Sequence, residues 1–281
     1  MNWHRPRTLE EAIDIVGATH SIVVSGGTDL FVDWPHRRTL YGDRDWLQIN
    51  HLADLHRIAV TDDGLEIGAA VTASELQVDP LTARLPALRQ AAHILGGWQV
   101  QNRASIAGNI VTASPAANFI TTLAALETTL HVQSPRGARA ITIDDFVQGP
   151  GKTGLAEDEL VIHVLIPASA MDAAQVFRRF DQRAGNNVAL VSVATAAQRS
   201  AGLITRARVV VGAAHAIPLS LPEIDSMLLG HPTRAQVDTV ARAYGSRCAP
   251  ITDVRATEAY RRSLVKTLVE RLLCESLGLE E

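Results

Sequence analysis

Near the start of the chain a short apolar segment leads into two adjacent glycines. The run is Val24-Ser25-Gly26-Gly27-Thr28-Asp29-Leu30. Glycine has no Cβ atom, so the backbone N–H groups of such a turn can approach an anion closely. Ser25 and Thr28 add hydroxyl groups, and Asp29 is placed to cap a following helix. The pattern suits a phosphate-bearing ligand, and an ordinary strand–turn–helix corner is the alternative.

A second candidate segment, residues 101–118, is polar and rich in small side chains. Such residues cannot fill a core, but they let the backbone run close to a ligand and present amide and hydroxyl groups. Arg103 is the only ionised residue in the segment, which argues against the alternative of a long surface loop. Asn118 stands at the start of the next predicted helix, where unpaired N–H groups favour an anion or a hydroxyl-rich ligand.

A third segment, residues 149–154, imitates two nucleotide-binding motifs. Its glycines match G-x-G-x-x-G, but that motif needs a helix after it, whereas a strand is predicted over residues 160–166. Gly151-Lys152-Thr153 resembles the end of a P-loop, which requires glycine where this chain has Phe146. We therefore reject both motifs, and a hairpin-like surface loop is the simplest interpretation.

Metal and nucleophile chemistry have no signature in the sequence. The 10 histidines are scattered without an H-E-x-x-H pattern, which disfavours zinc, and G-x-S-x-G is absent. Cys248 and Cys274 are too few for an iron–sulfur cluster, which takes about four thiolates, and we expect reduced thiols. Glycine-bearing polar loops without such groups suit a bound cofactor better than a side-chain catalyst.

The elements that must position these loops differ along the chain. Short helices and strands alternate first. Helices are predicted at 8–16, 86–95 and 119–126, and another opens at 72–75; Thr8 and Thr72 each stand three residues before a glutamate, the capping-box spacing. Strands are predicted at 22–24, 46–49, 58–60, 65–67, 129–132 and 160–166, and Asp62-Asp63-Gly64 predicts a hairpin between the third and fourth of them. After a linker at 167–174, strands at 176–180, 189–196 and 207–211 precede helices at 221–229, 234–246 and 257–277. Strands followed by helices indicate a separate α+β domain. In the last helix, Tyr260, Leu264, Leu268 and Leu272 are predicted to share one apolar face.

Composition limits the class of protein. The chain has 281 residues, of which 47% are hydrophobic and 20% charged, so it can build one large or two moderate domains. A net charge of −4 and 4% aromatic residues disfavour nucleic acid as a partner. We expect no membrane span, because no run of about 18 apolar residues occurs, and no secretory signal. The expected location is the cytoplasm.

In combination, these loops resemble those of the FAD-binding subunits of the xanthine dehydrogenase/carbon monoxide dehydrogenase (molybdenum hydroxylase) family. Residues 25–30 resemble its A-G-G-T-D-L loop, residues 101–109 its I-R-N-R-x-T-I-G-G-N loop, residues 114–118 its S-P-x-x-D segment, residues 149–167 its G-x-x-K-T-x-L…E-L-I-x-x-I-x-I-P stretch, and residues 189–197 and 202–212 its C-terminal domain. The similarity spans nearly the whole chain in the same order.

The resemblance implies an α+β fold with noncovalently bound FAD. It implies a two-part FAD-binding domain of the vanillyl-alcohol oxidase (PCMH) type over residues 1–170. A small C-terminal domain, a three-stranded sheet plus three helices, would occupy residues 175–281. The residues implied to bind FAD are Val24, Ser25, Gly26, Gly27, Thr28, Asp29, Leu30, Asn102, Ser105, Ile106, Ala107, Gly108, Asn109, Ser114, Ala117, Asn118, Leu155 and Arg179.

Three positions depart from the family pattern. Gln101 replaces an arginine, Ala107 replaces the first glycine of G-G-N, and Asn118 replaces an aspartate. Ala107 adds one methyl group beside the retained Gly108. Asn118 keeps its hydrogen-bonding capacity but loses a charge. No side chain is expected to be catalytic and none to bind a metal, since the flavin itself carries the redox chemistry.

The function implied is that of an electron-transfer subunit in a molybdenum hydroxylase complex. FAD would accept electrons from two [2Fe–2S] clusters of a small partner subunit and pass them to an external acceptor, while a large partner carries molybdopterin. A heterotrimer or a dimer of heterotrimers is expected, with Gln99–Asn102 and Arg178–Arg183 facing a partner. Two alternatives remain: a stand-alone FAD-dependent oxidoreductase and a flavin-free interaction subunit.

Overall fold

The computed structural model describes residues 1–34, 36, 41–183 and 187–279. The strands are β1 (Trp3–His4), β2 (Ile22–Val24), β3 (Trp46–Gln48), β4 (Ile58–Val60), β5 (Gly64–Gly68), β6 (Thr129–Ser134), β7 (Gly137–Thr142), β8 (Val147–Gly149), β9 (Lys152–Thr153), β10 (Leu160–Pro167), β11 (Ala174–Phe180), β12 (Val191–Ser200) and β13 (Leu203–Gly212). The α-helices are α1 (Leu9–Thr19), α2 (Leu30–Asp33), α3 (Ala73–Val78), α4 (Pro86–His93), α5 (Trp98–Gln101), α6 (Ile106–Val111), α7 (Asn118–Ala125), α8 (Ile143–Phe146), α9 (Ala168–Met171), α10 (Pro222–Asp225), α11 (Arg234–Arg247) and α12 (Glu258–Leu277).

The first part of the chain forms a small parallel sheet in the order β1–β3–β2. Ile22 and Trp3 both pair with Trp46 from opposite sides of β3. Helix α1 links β1 to β2 and begins, as predicted, after Thr8, whose hydroxyl accepts a hydrogen bond from the N–H of Glu11. This sheet ends at the glycine loop, which leads from β2 into α2.

A larger antiparallel sheet follows, in the order β4–β5–β10–β6–β7. Its predicted hairpin pairs Ile58 with Ile67. Burial alternates along β6, where Leu130 and Val132 lie in the main core and the residues between them do not, as expected for a sheet covered on one face. The sequence did not predict β7, which is mostly exposed and therefore lacks an apolar pattern.

The third sheet, β11–β12–β13, is antiparallel and buried on both faces. Phe177 and Ala194 pack into the main core, whereas the adjacent Val176 and Val193 belong to a second core built with α11 and α12. Successive strand residues point to opposite faces, so this alternation places one face against each core. Helices α4 and α7 cover the first face.

The predicted apolar face of α12 is wrong by one position. The buried residues include Arg261, Val265, Val269 and Leu272, whereas Tyr260 is 47% exposed. The guanidinium of Arg261 is buried because it donates to the carbonyl of Leu190 at 2.9 Å and to Asp253 at 2.8 Å. Hydrogen bonds of this kind offset the cost of burying a charge, and a hydropathy pattern does not register them.

Two further segments differ from expectation. The predicted linker 167–174 contains the short helix α9, and the predicted helix 221–229 divides into α10 and a 3-10 turn over Ser226–Leu228. Cys248 and Cys274 are both buried. Within the described ranges, none of the helices combines the length and apolar character needed to span a bilayer.

Helix α7 approaches the third sheet very closely. All 8 residues of α7 are buried, and the hydroxyls of Thr121 and Ser192 are 3.1 Å apart. A Cβ atom on Gly212 would lie 2.1 Å from Oγ1 of Thr121 and 2.6 Å from Oγ of Ser192. Glycine at position 212 is therefore a requirement of the contact between α7 and the sheet.

We predict that Gly212→Ala lowers the free energy of unfolding by roughly 1–3 kcal/mol, because overpacking moves α7 away from the sheet. Urea unfolding would measure this change. Gly149→Ala is the matched control, since its added Cβ would meet Lys152 only at 3.9 Å. Equal stability of the two variants would contradict the prediction.

A buried carboxyl group sits at the base of the second core. Asp225 accepts from the N–H of Val209 at 3.0 Å and lies 2.9 Å from the hydroxyl of Tyr244. That hydroxyl also donates to the carbonyl of Val209 at 2.8 Å and accepts from the N–H of Leu221 at 2.9 Å. Burial raises the pKa of Asp225 to about 7, so the folded protein holds a proton there that the unfolded chain releases near pH 4.

We predict that this proton makes stability fall as pH rises from about 4 to about 7. The folded pKa is the higher one, so the contribution is complete at low pH and is lost as pH passes the folded pKa. Relative to Asp225→Asn, the wild type should lose on the order of 1–3 kcal/mol between pH 5 and pH 8. Urea unfolding at each pH tests this, with the exposed Asp172→Asn as control. Parallel curves for wild type and Asp225→Asn would contradict it.

Candidate functional site

The glycine loop leaves a row of backbone donors without partners. Gly27 has a left-handed φ of +71°, and its carbonyl accepts from the N–H of Phe31 at 3.0 Å as α2 begins. Among the described residues, the N–H groups of residues 26–29 make no hydrogen bond. The Asp29 side chain does not cap α2, contrary to expectation. The loop therefore presents unpaired N–H groups, the donor set that an anion requires.

The glycine loop and the second candidate segment are in direct contact. A Cβ atom on Gly26 would lie 1.8 Å from the carbonyl oxygen of Arg103. Ser25 carries a buried hydroxyl with no hydrogen-bond partner among the described residues. An unpartnered buried polar atom is costly unless a ligand or water satisfies it. The structure thus brings together two segments that lie about 75 residues apart in the sequence.

The second segment is folded and is not a loop throughout. It begins at Gln101, the last residue of α5, and contains α6, which Ser105 caps by accepting from the N–H of Gly108 at 3.2 Å. The N–H groups of Ile106 and Ala107 donate to the backbone of residues 71 and 69, so they are committed to the fold. Asn102 is exposed and accepts from the hydroxyl of Ser74 at 2.6 Å. Small residues here allow α6 to pack closely.

The start of α7 connects the second segment to the third sheet. The side-chain oxygen of Asn109 accepts from the N–H of Phe119 at 3.1 Å, which ties α6 to α7. Asn118 is 3% exposed and donates to the carbonyl of Ala91 at 3.0 Å. Its side-chain oxygen accepts from Nη1 of Arg179 at 3.3 Å. Ser114 and Ala117 complete the turn before α7, since the N–H of Ala117 donates to the carbonyl of Ser114.

Asp181 is a candidate residue that sequence analysis missed. Its Oδ2 accepts from Nε of Arg179 at 2.9 Å, while its Oδ1 is buried with no partner among the described residues. Burial raises the pKa of Asp181, and the Arg179 guanidinium opposes that shift. The sequence signal that could have identified it is its spacing from Arg179. Residues two apart along a strand share a face, and Asp181 directly follows β11.

The third segment is a tight hairpin of β8 and β9. The N–H of Gly151 donates to the carbonyl of Ala113 at 3.0 Å, so the hairpin abuts the second segment. Ala113 has a φ of +47°, which is unusual for a residue with a side chain. Leu155 lies beyond the hairpin, partly buried against the main core. In the described part of the chain it makes no hydrogen bond to the other candidates.

The described residues contain no group of three or more histidine, cysteine or acidic side chains able to hold a metal ion. What they do contain is a glycine cradle with free N–H groups, an unpartnered serine hydroxyl and a buried Arg179–Asn118 contact. The first two suit a phosphate ester, and the third suits a polar or redox-active ring system. Together they fit a long, phosphate-bearing cofactor better than they fit a small substrate.

Comparison with known proteins identifies that cofactor class. Residues 1–169 match the family model described as the FAD binding domain in molybdopterin dehydrogenase. Residues 167–276 match the carbon monoxide dehydrogenase flavoprotein C-terminal domain. The predicted order of an FAD-binding domain and a C-terminal domain within a mixed helix and sheet fold is thereby confirmed.

Relatives match over almost the full length. A xanthine dehydrogenase FAD-binding subunit of Escherichia coli O157:H7 is 27% identical over 99% of this chain and 96% of its own. The carbon monoxide dehydrogenase medium chain of Hydrogenophaga pseudoflava is 26% identical over 96% of this chain and 95% of its own. A solved carbon monoxide dehydrogenase from the same organism, lacking the Mo-pyranopterin moiety, superposes with a TM-score of 0.92 at 25% identity, covering 99% of this chain and 97% of that one. The chain belongs to the family of FAD-binding domains of molybdopterin dehydrogenases.

Proposed function

We propose that the chain is the FAD-carrying electron-transfer subunit of a molybdenum hydroxylase complex. The observation that carries the proposal is the glycine loop of this family, in which four N–H groups and the buried Ser25 hydroxyl have no hydrogen-bond partner among the described residues. When bound, FAD supplies the redox chemistry, and the protein binds and orients it. The binding is noncovalent.

Two groups of residues would hold the cofactor. The glycine loop, residues 24–30, and residues 102–109 would bind the pyrophosphate and the ribityl chain. The loop would supply backbone N–H donors, and residues 102–109 would supply hydroxyl and amide side chains. Asn118 and Arg179 would face the flavin, with Leu155 against a ring and residues 114–117 shaping the turn between the groups. The contact of Gly26 with the Arg103 carbonyl supports the first group, and the Asn118–Arg179 hydrogen bond supports the second.

The departures from the family pattern are compatible with this site. Ala107 keeps its N–H on the Ala69 carbonyl, and its methyl group is buried in the main core. Asn118 uses both ends of its amide, one toward Ala91 and the other toward Arg179. A carboxylate at position 118 would lack the donor that the Ala91 carbonyl requires, so the amide fits its surroundings.

The complex proposed is a heterotrimer, or a dimer of heterotrimers, with a large molybdopterin subunit and a small subunit carrying two [2Fe–2S] clusters. Relatives described as medium chains support this assembly, as does the exposure of Trp98 (73%) next to Gln99–Asn102. Arg178–Arg183 is the second proposed partner surface, although Arg179 within it is buried. The cytoplasm is the proposed location, because a chain with only two cysteines suits a reducing compartment.

The proposed domain boundary lies near residue 170. Two separate hydrophobic cores support it, as do matches of two family models that meet at residues 167–169. The sheet β11–β13 is shared between the cores, so we place the boundary before β11. We also propose the two-part PCMH-type architecture for residues 1–170, supported by the separate small core around Trp46.

The function is tested by following the flavin colour. We predict that acid precipitation of the purified chain releases FAD, and that candidate N-heterocyclic, aldehyde or aromatic substrates leave the bound flavin oxidised under anaerobic conditions. Bleaching should occur only when the molybdenum and iron–sulfur subunits are added. Bleaching by substrate with the isolated chain would instead identify a stand-alone oxidoreductase, and a colourless chain that still joins the complex would identify an interaction subunit.

We predict that Gly27→Val reduces FAD content by more than about tenfold while the protein remains folded. A valine at φ +71° carries roughly 1–2 kcal/mol of strain and would place its Cβ 2.5 Å from the Phe31 ring, closing the phosphate cradle. The control is Gly202→Val, which has the same strain at φ +83° but open space around it. FAD content reports cofactor binding in both variants, and circular dichroism reports whether they are folded. Near-normal FAD in Gly27→Val would show that this loop is not part of the site.

A further inference from the structure

A buried ion pair stands beside Asn118 at the end of β11. The side chains of Arg179 and Asp181 are 9% and 15% exposed, and Nε of Arg179 donates to Oδ2 of Asp181 at 2.9 Å. Within the described ranges, the Asn118 side-chain oxygen is the only other hydrogen-bond acceptor of this guanidinium. One carboxylate therefore sets both the orientation and the net charge of the group next to Asn118.

This pair differs from the ion pair that the exposed Arg139 makes with the buried Glu159. Glu159 accepts from Nε and Nη2 of Arg139 and from the N–H of Ala156, so both of its oxygens are satisfied. Asp181 has one oxygen without any partner in the described structure. Burying a carboxylate costs several kcal/mol, and a pair that is incompletely hydrogen-bonded rarely repays that cost. A contribution to folding stability therefore does not explain why a carboxylate is buried at position 181.

The neighbouring Arg178 is arranged differently, although it lies on the same strand. It points to the opposite side of β11, donates to Glu275 at 3.1 Å and is 44% exposed. Exposed pairs of this kind contribute little and tolerate change. Arg179, in contrast, is withdrawn from solvent toward residues of the proposed flavin site.

We propose that Asp181 is a positioning residue of the flavin site, which holds Arg179 against Asn118 and cancels its charge. The inference rests on the proposed function. An uncompensated guanidinium beside the flavin would stabilise the more negative reduced state, since charges interact strongly where water is excluded. With Asp181 in place, Arg179 belongs to a nearly neutral pair, which would stabilise the reduced state of a bound flavin less than a lone guanidinium would.

The test compares the midpoint potential of bound FAD in purified, FAD-loaded variants, by anaerobic photoreduction against a reference dye. Asp181→Asn should raise the two-electron equilibrium constant for flavin reduction by about tenfold, or about 30 mV. Arg179→Gln should lower it, because the carboxylate is then uncompensated. Asp181→Glu should stay within about threefold of the wild type. The control Asp238→Asn removes the same charge from a carboxylate that pairs with Arg242 at 2.6 Å, and it should change nothing.

Opposite shifts in Asp181→Asn and Arg179→Gln would support the inference, because mere loss of structure does not reverse sign. Equilibrium constants within about twofold of the wild-type value in both variants, or shifts in the same direction, would overturn it. If Asp181→Asn fails to retain FAD, the remaining variants decide: a lowered constant in Arg179→Gln with a wild-type value in Asp181→Glu supports it, and any other result overturns it. A wild-type chain without FAD would overturn the proposed function itself.

Discussion

The contact between α7 and the β12–β13 pair is the constraint on which the site depends. Helix α7 is buried on every side, and its approach to the sheet is possible because position 212 has no side chain. That approach puts Asn118, the first residue of α7, within hydrogen-bond distance of Arg179 on the neighbouring strand. The two parts of the chain therefore meet through close packing, and a polar contact between them exists as a consequence of that packing.

The two halves of the candidate site work by different physical means. The glycine loop offers backbone dipoles, which bind an anion without placing a full charge in the protein. The Asn118–Arg179–Asp181 group places a full charge in a buried position and then neutralises it. The first arrangement suits a phosphate, whose charge is constant, and the second suits a group whose charge changes with its redox state.

Much of the architecture was accessible from sequence because it depends on local signals. Thr8 and Thr72 cap helices where their spacing to a glutamate predicts it, and the 58–67 hairpin forms where two strand signals flank a turn. The sequence missed α5 and α6, because small polar residues such as those at 101–109 have no clear periodicity. It also misassigned the buried face of α12, because Arg261 is buried through hydrogen bonds to Leu190 and Asp253 and not through apolar character.

The sequence by itself determined which residue types are available: a glycine turn rich in donors, a stretch of small amides and a basic strand, in an order that resembles one family. The tertiary structure decided which of them meet. Gly26 touches Arg103, and Asn118 touches Arg179, across separations of 77 and 61 residues. Only the structure shows that one oxygen of Asp181 is buried with no partner in the described ranges. The physical reason is that capping and turn formation depend on neighbours within a few residues, whereas burial and charge pairing depend on side chains that only folding brings together.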